Sequence, residues 1–204
     1  MHSAKKIVVL TIGHSNHELS EFINLLQRNG VTAVADVRSQ PSSRLPHFSH
    51  PAIAGNLKQA GIDYVFLGRE LGARRLEPEC YEDRQAVYEK IADLPAFREG
   101  LARIRRGSVK HRIALMCAEQ EPLDCHRTIL ICRRLRGEAM IRHILPDGAA
   151  EDHSQTEQRL VSRMGVHRTL FDPPDLSDAD LLERAYEERG RQIAFRADQT
   201  EAVA

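Results

Sequence analysis

Fourteen residues, Ala114 to Arg127 (ALMCAEQEPLDCHR), gather most of the chemistry in the chain: Cys117, Glu119, Glu121, Asp124, Cys125, His126 and Arg127. Three chemistries fit these residue types. A cysteine thiolate could act as a nucleophile, with histidine or glutamate as its base. Glu119 could instead do general acid–base work while the cysteines only pack. Thirdly, Cys117, Cys125, a histidine and a carboxylate could hold zinc. Seven residues separate the two cysteines, and Cys125 adjoins His126 directly, unlike ordinary zinc spacing. Zinc therefore ranks last, no metal ligand is assigned and no cofactor is expected.

The elements around this stretch suggest how it is held. The apolar run Ile113 to Met116 reads as a buried strand, and Ile129, Leu130, Cys132 and Leu135 as one face of a helix stopping at Gly137. Asp124 is the expected N-cap, which puts Cys125, His126 and Arg127 in the first turn. Unpaired amides and the positive end of the helix dipole would attract an anion there and lower the pKa of Cys125. Cys117 leaves a buried strand, so burial should push its pKa upward and leave Cys125 the more exposed and reactive thiol. Cys80 and Cys132 look structural.

Other polar residues follow other apolar runs. Gly13-His14-Ser15 follows Ile7 to Ile12, and Asp36-Val37-Arg38 closes Val31 to Ala35. A proline-stiffened loop, Ser39 to Pro51, then carries Ser42, Ser43 and Arg44, groups able to hold phosphate oxygens. His14 joins Cys117, Glu119, Cys125 and His126 as a candidate catalytic residue. Gly13, Ser15, Asp36, Arg38, Ser43, Arg44 and Arg127 are the candidate substrate contacts. The plain alternatives are a capped turn at Gly13 and an internal ion pair between Asp36 and Arg38. His47 and His50 read as solvated loop residues. Neither a G-x-G-x-x-G nor a G-x-x-x-x-G-K-[ST] pattern is present, so dinucleotide and P-loop sites are unsupported.

Along the chain, Ser15 and Glu18 match a capping box before an amphipathic helix (Leu19, Phe22, Ile23, Leu26) ending at Gly30. A helix over 52–60 precedes a third strand, Ile62 to Phe66. Helical patterns over 84–92 and 95–106 precede strand four, and Met140 to Leu145 is strand five. A helix from about 151 to 163, a linker over 166–174 and an acidic closing helix over 177–195 complete the chain. Short strands apolar on both faces, alternating with helices, predict an α/β fold. It should be a mostly parallel sheet of about five strands with helices on both faces, a Rossmann-like three-layer sandwich with a C-terminal helical extension. Residues 1–148 form the α/β domain carrying the site; 149–204 form an acidic helical extension packed on it. Ligands in such sheets bind outside the carboxyl ends of the strands, where these polar groups fall.

Composition supports an ordinary globular chain, with 42% apolar and 28% charged residues. Net charge is zero, yet residues 1–148 carry 22 Lys and Arg against 17 acids, and residues 149–204 carry 7 against 12. A basic half with eight of the ten histidines suits an anionic small molecule or nucleic acid as partner. The arginine runs over 103–112 and 133–136 lack interleaved aromatics and read as solvated helix faces. Four cysteines without a CxxC pair, and no secretory or membrane-spanning stretch, imply reduced thiols, a cytoplasmic location and no membrane partner.

Together these pieces resemble the family catalogued as domain of unknown function 488. The matching residues are Thr11 to Ser15, Asp36 to Arg44, Tyr64 to Gly72, Met116 to Glu119 with Pro122 and Cys125 to Arg127, His143 to Gly148, and the tail from Ala185-Tyr186 to Phe195. The resemblance implies a compact α/β domain whose motifs meet at one site, and it supplies no reaction. One departure is Gly72-Ala73, where it implies a second glycine. The favoured function is an enzyme acting on an anionic, phosphate-bearing substrate, a nucleotide or nucleic-acid end, with Arg38, Arg44 and Arg127 holding the anion. The alternative is a non-catalytic nucleic-acid or ligand-binding module, and the third reading a structural zinc protein.

Overall fold

A computed structural model describes residues 7–197. Its strands are β1 (Ile7–Gly13), β2 (Ala33–Asp36), β3 (Asp63–Phe66), β4 (Tyr81–Glu82), β5 (Gln85–Ala86), β6 (Ile113–Cys117), β7 (Ala139–Ile144) and β8 (Ala150–Asp152). The helices are α1 (Leu19–Arg28), α2 (Ala52–Gln59), α3 (Gly68–Leu71), α4 (Tyr88–Asp93), α5 (Pro95–Gly107), α6 (Arg133–Leu135), α7 (His153–Met164) and α8 (Asp178–Ile193). A π-helical stretch, Arg127–Cys132, runs straight into α6.

The main sheet has the order β3-β2-β6-β1-β7-β8. The first five pair in parallel; β8 returns antiparallel on β7. Alternation along each strand sends side chains to two separate cores. Leu10, Ile12, Val34 and Met116 pack under α1 and α2 through Phe22, Leu26, Ile53 and Leu57. Val9, Ala35, Leu115 and Ile141 pack on the other face against Phe97, Leu101, Ile129, Leu160 and Tyr186. The expected α/β sandwich is therefore present, with a sixth, antiparallel strand at its edge.

Chain direction locates the site. From β1 the chain crosses to β2 on one side of β6; from β6 it crosses to β7 on the other side of β1. The helix after β1 covers one face and the helix after β6 the other, so the switch point at which such sheets bind ligands falls between these two central strands at their carboxyl ends.

Several local expectations need correction. Ser15 does not cap α1: it stands at φ 44°, and the helix starts at Leu19 after Glu18 without a side-chain cap. The pattern read as helix over 84–92 begins four residues later. Residues 81–86 form the β4–β5 hairpin, whose turn places Asp83 and Arg84 at φ 45° and 66°. The helix expected from 151 begins at His153, because Ala150–Asp152 is strand and Asp152 with Gln155 makes the capping box. The acidic closing helix is α8, capped by Ser177 and Asp180. It buries Ala185 and Tyr186 in the larger core, and Arg133 ties it down through Glu183.

Candidate functional site

Strand β6 delivers Cys117 to the carboxyl edge, and β1 pins the two residues at its exit. His14 N–H donates to the Cys117 carbonyl and Ser15 N–H to the Ala118 carbonyl, each at 2.9 Å. Gly13 lets the chains approach: a Cβ there would lie 1.9 Å from the Glu119 carbonyl oxygen. The chain then makes a single 3₁₀ turn, Pro122–Asp124, whose Leu123 N–H donates to the Glu121 side chain at 3.1 Å. The expected cap at Asp124 is one residue early. Cys125 is extended (φ −134°, ψ 139°) and His126 is the first helical residue. Cys125 itself stands at the capping position: its carbonyl accepts from Thr128 and Ile129 N–H, and its sulfur from Arg127 N–H at 3.4 Å. An aspartate was the stronger cap by type, but the Pro122 turn already uses it.

Four functional groups meet here. His126 Nε2 lies 3.0 Å from the Val37 carbonyl, so in the neutral ring Nε2 carries the proton and Nδ1 presents its lone pair. Nδ1 faces both sulfurs, 3.7 Å from Cys117 Sγ and 3.9 Å from Cys125 Sγ. The ligand atoms of Cys117, Cys125 and His126 all lie within 4.8 Å of one another. Glu119 is exposed as a residue, yet its carboxylate reaches back to Cys125 Sγ at 3.0 Å.

Electrostatics separate the two thiols. Burial would raise Cys125, but a hydrogen bond from Cys117, the Arg127 charge and His126 outweigh it and hold its pKa well below the usual thiol range. Cys117 moves upward, because it shares its proton with Cys125 and is itself desolvated. Burial and the neighbouring Cys125 raise Glu119. The directions match the expectation for the thiols; the exposures do not. Cys125 is 1% exposed and Cys117 3%, so Cys125 is no more accessible than its neighbour. Burial raises Cys132, which packs in the core like Cys80.

The arginines expected to hold an anion divide. Arg38 is 5% exposed and its guanidinium is committed. Nε and Nη2 donate to Asp36 at 2.9 and 2.6 Å, Nη2 also to the Phe48 carbonyl at 2.9 Å, and Nη1 lies 3.2 Å from His14 Nε2. Asp36, fully buried, also accepts from Tyr64 Oη at 2.9 Å. This pair is the internal brace that was the alternative to anion binding. Arg127 is fully buried and donates to the Glu119 and Gln120 carbonyls at 2.6 and 3.0 Å, bracing the same loop that Gly13 admits. His14 stacks on Phe48 with ring centres 4.4 Å apart, and burial lowers its pKa to about 4, so it stands neutral. Ser43 is turned to its own loop: its Oγ accepts from Leu45 N–H at 3.1 Å and its N–H donates to Ser49 Oγ at 2.9 Å. Arg44 is exposed and has no ion-pair partner among the described residues, as has Arg69 after β3.

All the candidate residues thus come to one edge of the sheet, but the cysteine cluster is close-packed. A cavity of about 200 Å³ lies at the opposite edge, where Ala33, Asp63 and Ile113 begin their strands. Three contributors were not anticipated. Phe48 shields His14, Tyr64 completes the Asp36 cage, and the Val37 carbonyl orients His126. A backbone carbonyl has no sequence signal; Phe48 had one, as an aromatic in an otherwise polar loop.

The fold and this edge define a doubly wound α/β protein with a thiol, imidazole and carboxylate cluster at its topological switch point. The chain belongs to the family described as domain of unknown function DUF488, whose model matches residues 18–133. That span includes Asp36, Arg38, Cys117, Glu119, Cys125, His126 and Arg127. No curated protein and no solved structure matches the chain. Among the described residues, no helix is long and apolar enough to cross a membrane.

Proposed function

We propose that the protein is an enzyme acting on an anionic, phosphate-bearing substrate, a nucleotide or a nucleic-acid end, at the carboxyl edge of the sheet. One observation carries the reading: Glu119 is an exposed residue whose carboxylate turns inward to lie 3.0 Å from buried Cys125 Sγ, beside Cys117 and His126. A proton-transfer group must be reachable by substrate and still be held in place, and Glu119 meets both conditions. It is the acid–base group; the cysteines and His126 form the wall it works against. The anion is received by Arg44 and Arg69, which are exposed and without ion-pair partners among the described residues. Arg38 and Arg127 act as struts, since Arg38 already serves Asp36 and Phe48 and both terminal nitrogens of Arg127 serve the Glu119 and Gln120 carbonyls.

A thermal-shift screen of nucleotides and phosphorylated metabolites tests this. A ligand at a hundred times its dissociation constant stabilises the folded chain by about 2.7 kcal/mol. Arg44→Ala with Arg69→Ala should abolish the shift, whereas Glu119→Gln should keep it and lose turnover. If no phosphate compound shifts the wild type, the reading fails. Salt-sensitive binding of DNA or RNA, without turnover and indifferent to Glu119→Gln, would make the protein a binding module instead.

A further inference from the structure

We propose that Cys117, Cys125 and His126 form a three-ligand zinc site whose fourth position opens beside Glu119. The proposal rests on the proposed enzymatic function only for the role of Glu119; metal binding stands or falls separately. The first argument is distance. In a tetrahedral site with Zn–S near 2.3 Å and Zn–N near 2.05 Å, the sulfur–nitrogen edges are about 3.6 Å and the sulfur–sulfur edge about 3.8 Å. His126 Nδ1 lies 3.7 and 3.9 Å from the two sulfurs, and all three atoms fall within 4.8 Å of one another. Small side-chain rotations close the set around one ion.

The second argument is direction. A histidine that binds zinc through one nitrogen commonly donates its other N–H to a carbonyl or carboxylate, which fixes ring and tautomer. His126 Nε2 meets the Val37 carbonyl at 3.0 Å, and this aims the Nδ1 lone pair between the two sulfurs. A disulfide would engage only the cysteines and leave that aim without a use. Two sulfurs and an imidazole are also the donor set that favours zinc over oxygen-seeking cations.

Charge supplies the third argument. Arg127 is fully buried and its guanidinium meets only carbonyl oxygens, so it needs anionic neighbours. A zinc ion with two thiolates, the Glu119 carboxylate and the Arg127 guanidinium is neutral as a group. Glu119 stands outside the three-atom set while touching Cys125 Sγ at 3.0 Å. Three protein ligands and one free position mark catalytic rather than structural zinc. With a metal bound, Glu119 would be placed to take a proton from a water as its oxygen bonds to the substrate, and to pass that proton to the leaving group as the substrate's bond to it breaks. The order along the chain, a ligand (Cys117), a glutamate two residues on, a proline and then the remaining ligands, is the order of the zinc deaminases of nucleobases. The departures are that Pro122 stands three residues before Cys125 instead of directly before it, and that Cys125 and His126 are adjacent, where those proteins space their last two ligands by two residues.

The test loads the reduced full chain with zinc or cobalt(II), dialyses it and measures bound metal and absorption. About one metal per chain is expected, with protons released as the thiols ionise. Cobalt should give near-ultraviolet thiolate charge transfer and the visible bands of a tetrahedral ion. Cys117→Ser and Cys125→Ser should each lose much of the charge transfer, and Cys80→Ser and Cys132→Ser none. Zinc should raise the urea midpoint of wild type and of the two control variants, and leave that of Cys117→Ser where it was. Glu119→Gln should keep the metal. Absence of stoichiometric metal, or charge transfer that survives in the Cys117→Ser, Cys125→Ser double variant, overturns the proposal. Loss of metal in Glu119→Gln would make Glu119 a ligand and overturn the open site. A phosphate compound that stabilises metal-free wild type would uphold the enzymatic reading even where zinc fails to bind.

Discussion

Lowering the pH through the histidine range should destabilise this protein, and a wire of buried side chains sets the size of the effect. Thr11 Oγ1 lies 2.8 Å from His143 Nδ1, His143 Nε2 2.9 Å from His153 Nδ1, and His153 Nε2 3.1 Å from Tyr186 Oη. Tyr186 then donates to Glu157 at 2.9 Å. That last bond fixes the order of protons: each group donates to the next, from Thr11 to Glu157, and both imidazoles are neutral. A proton added to His153 Nδ1 would meet the His143 Nε2–H head on, and one added to His143 Nδ1 would displace the Thr11 hydroxyl proton and reverse that bond. Burial, then the neighbouring ring with Arg127 and Arg159, holds His143 well below the ordinary 6.5. Burial also lowers His153, where Arg136 adds to the effect and Glu157 opposes it.

The sign comes from the direction of these shifts. A depressed folded pKa means the unfolded chain takes up protons first, so stability is complete above about pH 7.5 and falls as pH drops below about 6.5. With 6.5 as the unfolded value, a ring that is depressed in the folded chain costs at most about 2 kcal/mol per ring at pH 5. That is a large part of the usual 5–15 kcal/mol of domain stability, roughly. Urea titrations followed by circular dichroism at pH 7.5 and 5.0 measure it, with His153→Gln beside wild type. The variant should start less stable and lose less on acidification, by up to about 2 kcal/mol. His14, with its pKa near 4, contributes to both proteins and cancels in the difference. An equal acid loss in the two proteins would refute the reasoning.

Three further outcomes rest on single contacts. Gly13→Ala must displace the Glu119 carbonyl, which a new Cβ would meet at 1.9 Å; about 3 kcal/mol of stability should go with it, read from the urea midpoint. Asp36→Asn leaves the Arg38 guanidinium buried beside His14 without its carboxylate and should cost about 3–5 kcal/mol by the same measurement. Arg133→Met keeps the aliphatic stem but removes the ties to Glu183 and Glu89. Both acids are partly solvated, so the loss should be only about 1 kcal/mol, together with faster proteolysis between 166 and 177.

Sequence pattern made β1, β2 and β6 legible because each is buried on both faces, and a run of apolar, β-branched residues has few other uses. It missed β4, β5 and β8, which are two or three residues long and exist through pairing with distant or neighbouring backbone. The convergence of the site was also legible: parallel strands put every loop after a strand on one edge. The commitment of each side chain was not. Arg38, Arg127 and Arg44 look alike as letters, and their roles differ by the carbonyls and carboxylates that folding brings to them. Ser15 illustrates the same limit. Its spacing to Glu18 suits a cap, but contact with Ala118 draws its backbone into the left-handed region instead.

The spacing of the two cysteines reads differently once the chain is folded, for a related reason. Common ligand spacings describe pairs that one tight turn brings together, so seven intervening residues look too many. Here the separation is absorbed by two independent devices. Gly13 admits the Glu119 carbonyl against β1, and the Pro122–Asp124 turn reverses the chain so that Cys125 comes back beside the end of β6. Arg127 then ties the Glu119 and Gln120 carbonyls to the helix that carries His126. Remote residues therefore set the distance between the thiols, and a local motif could not have expressed it. Gly13→Ala separates the two ideas: moving the Glu119 carbonyl should weaken cobalt charge transfer although every ligand remains, whereas an ordinary short-range motif would be indifferent to that change.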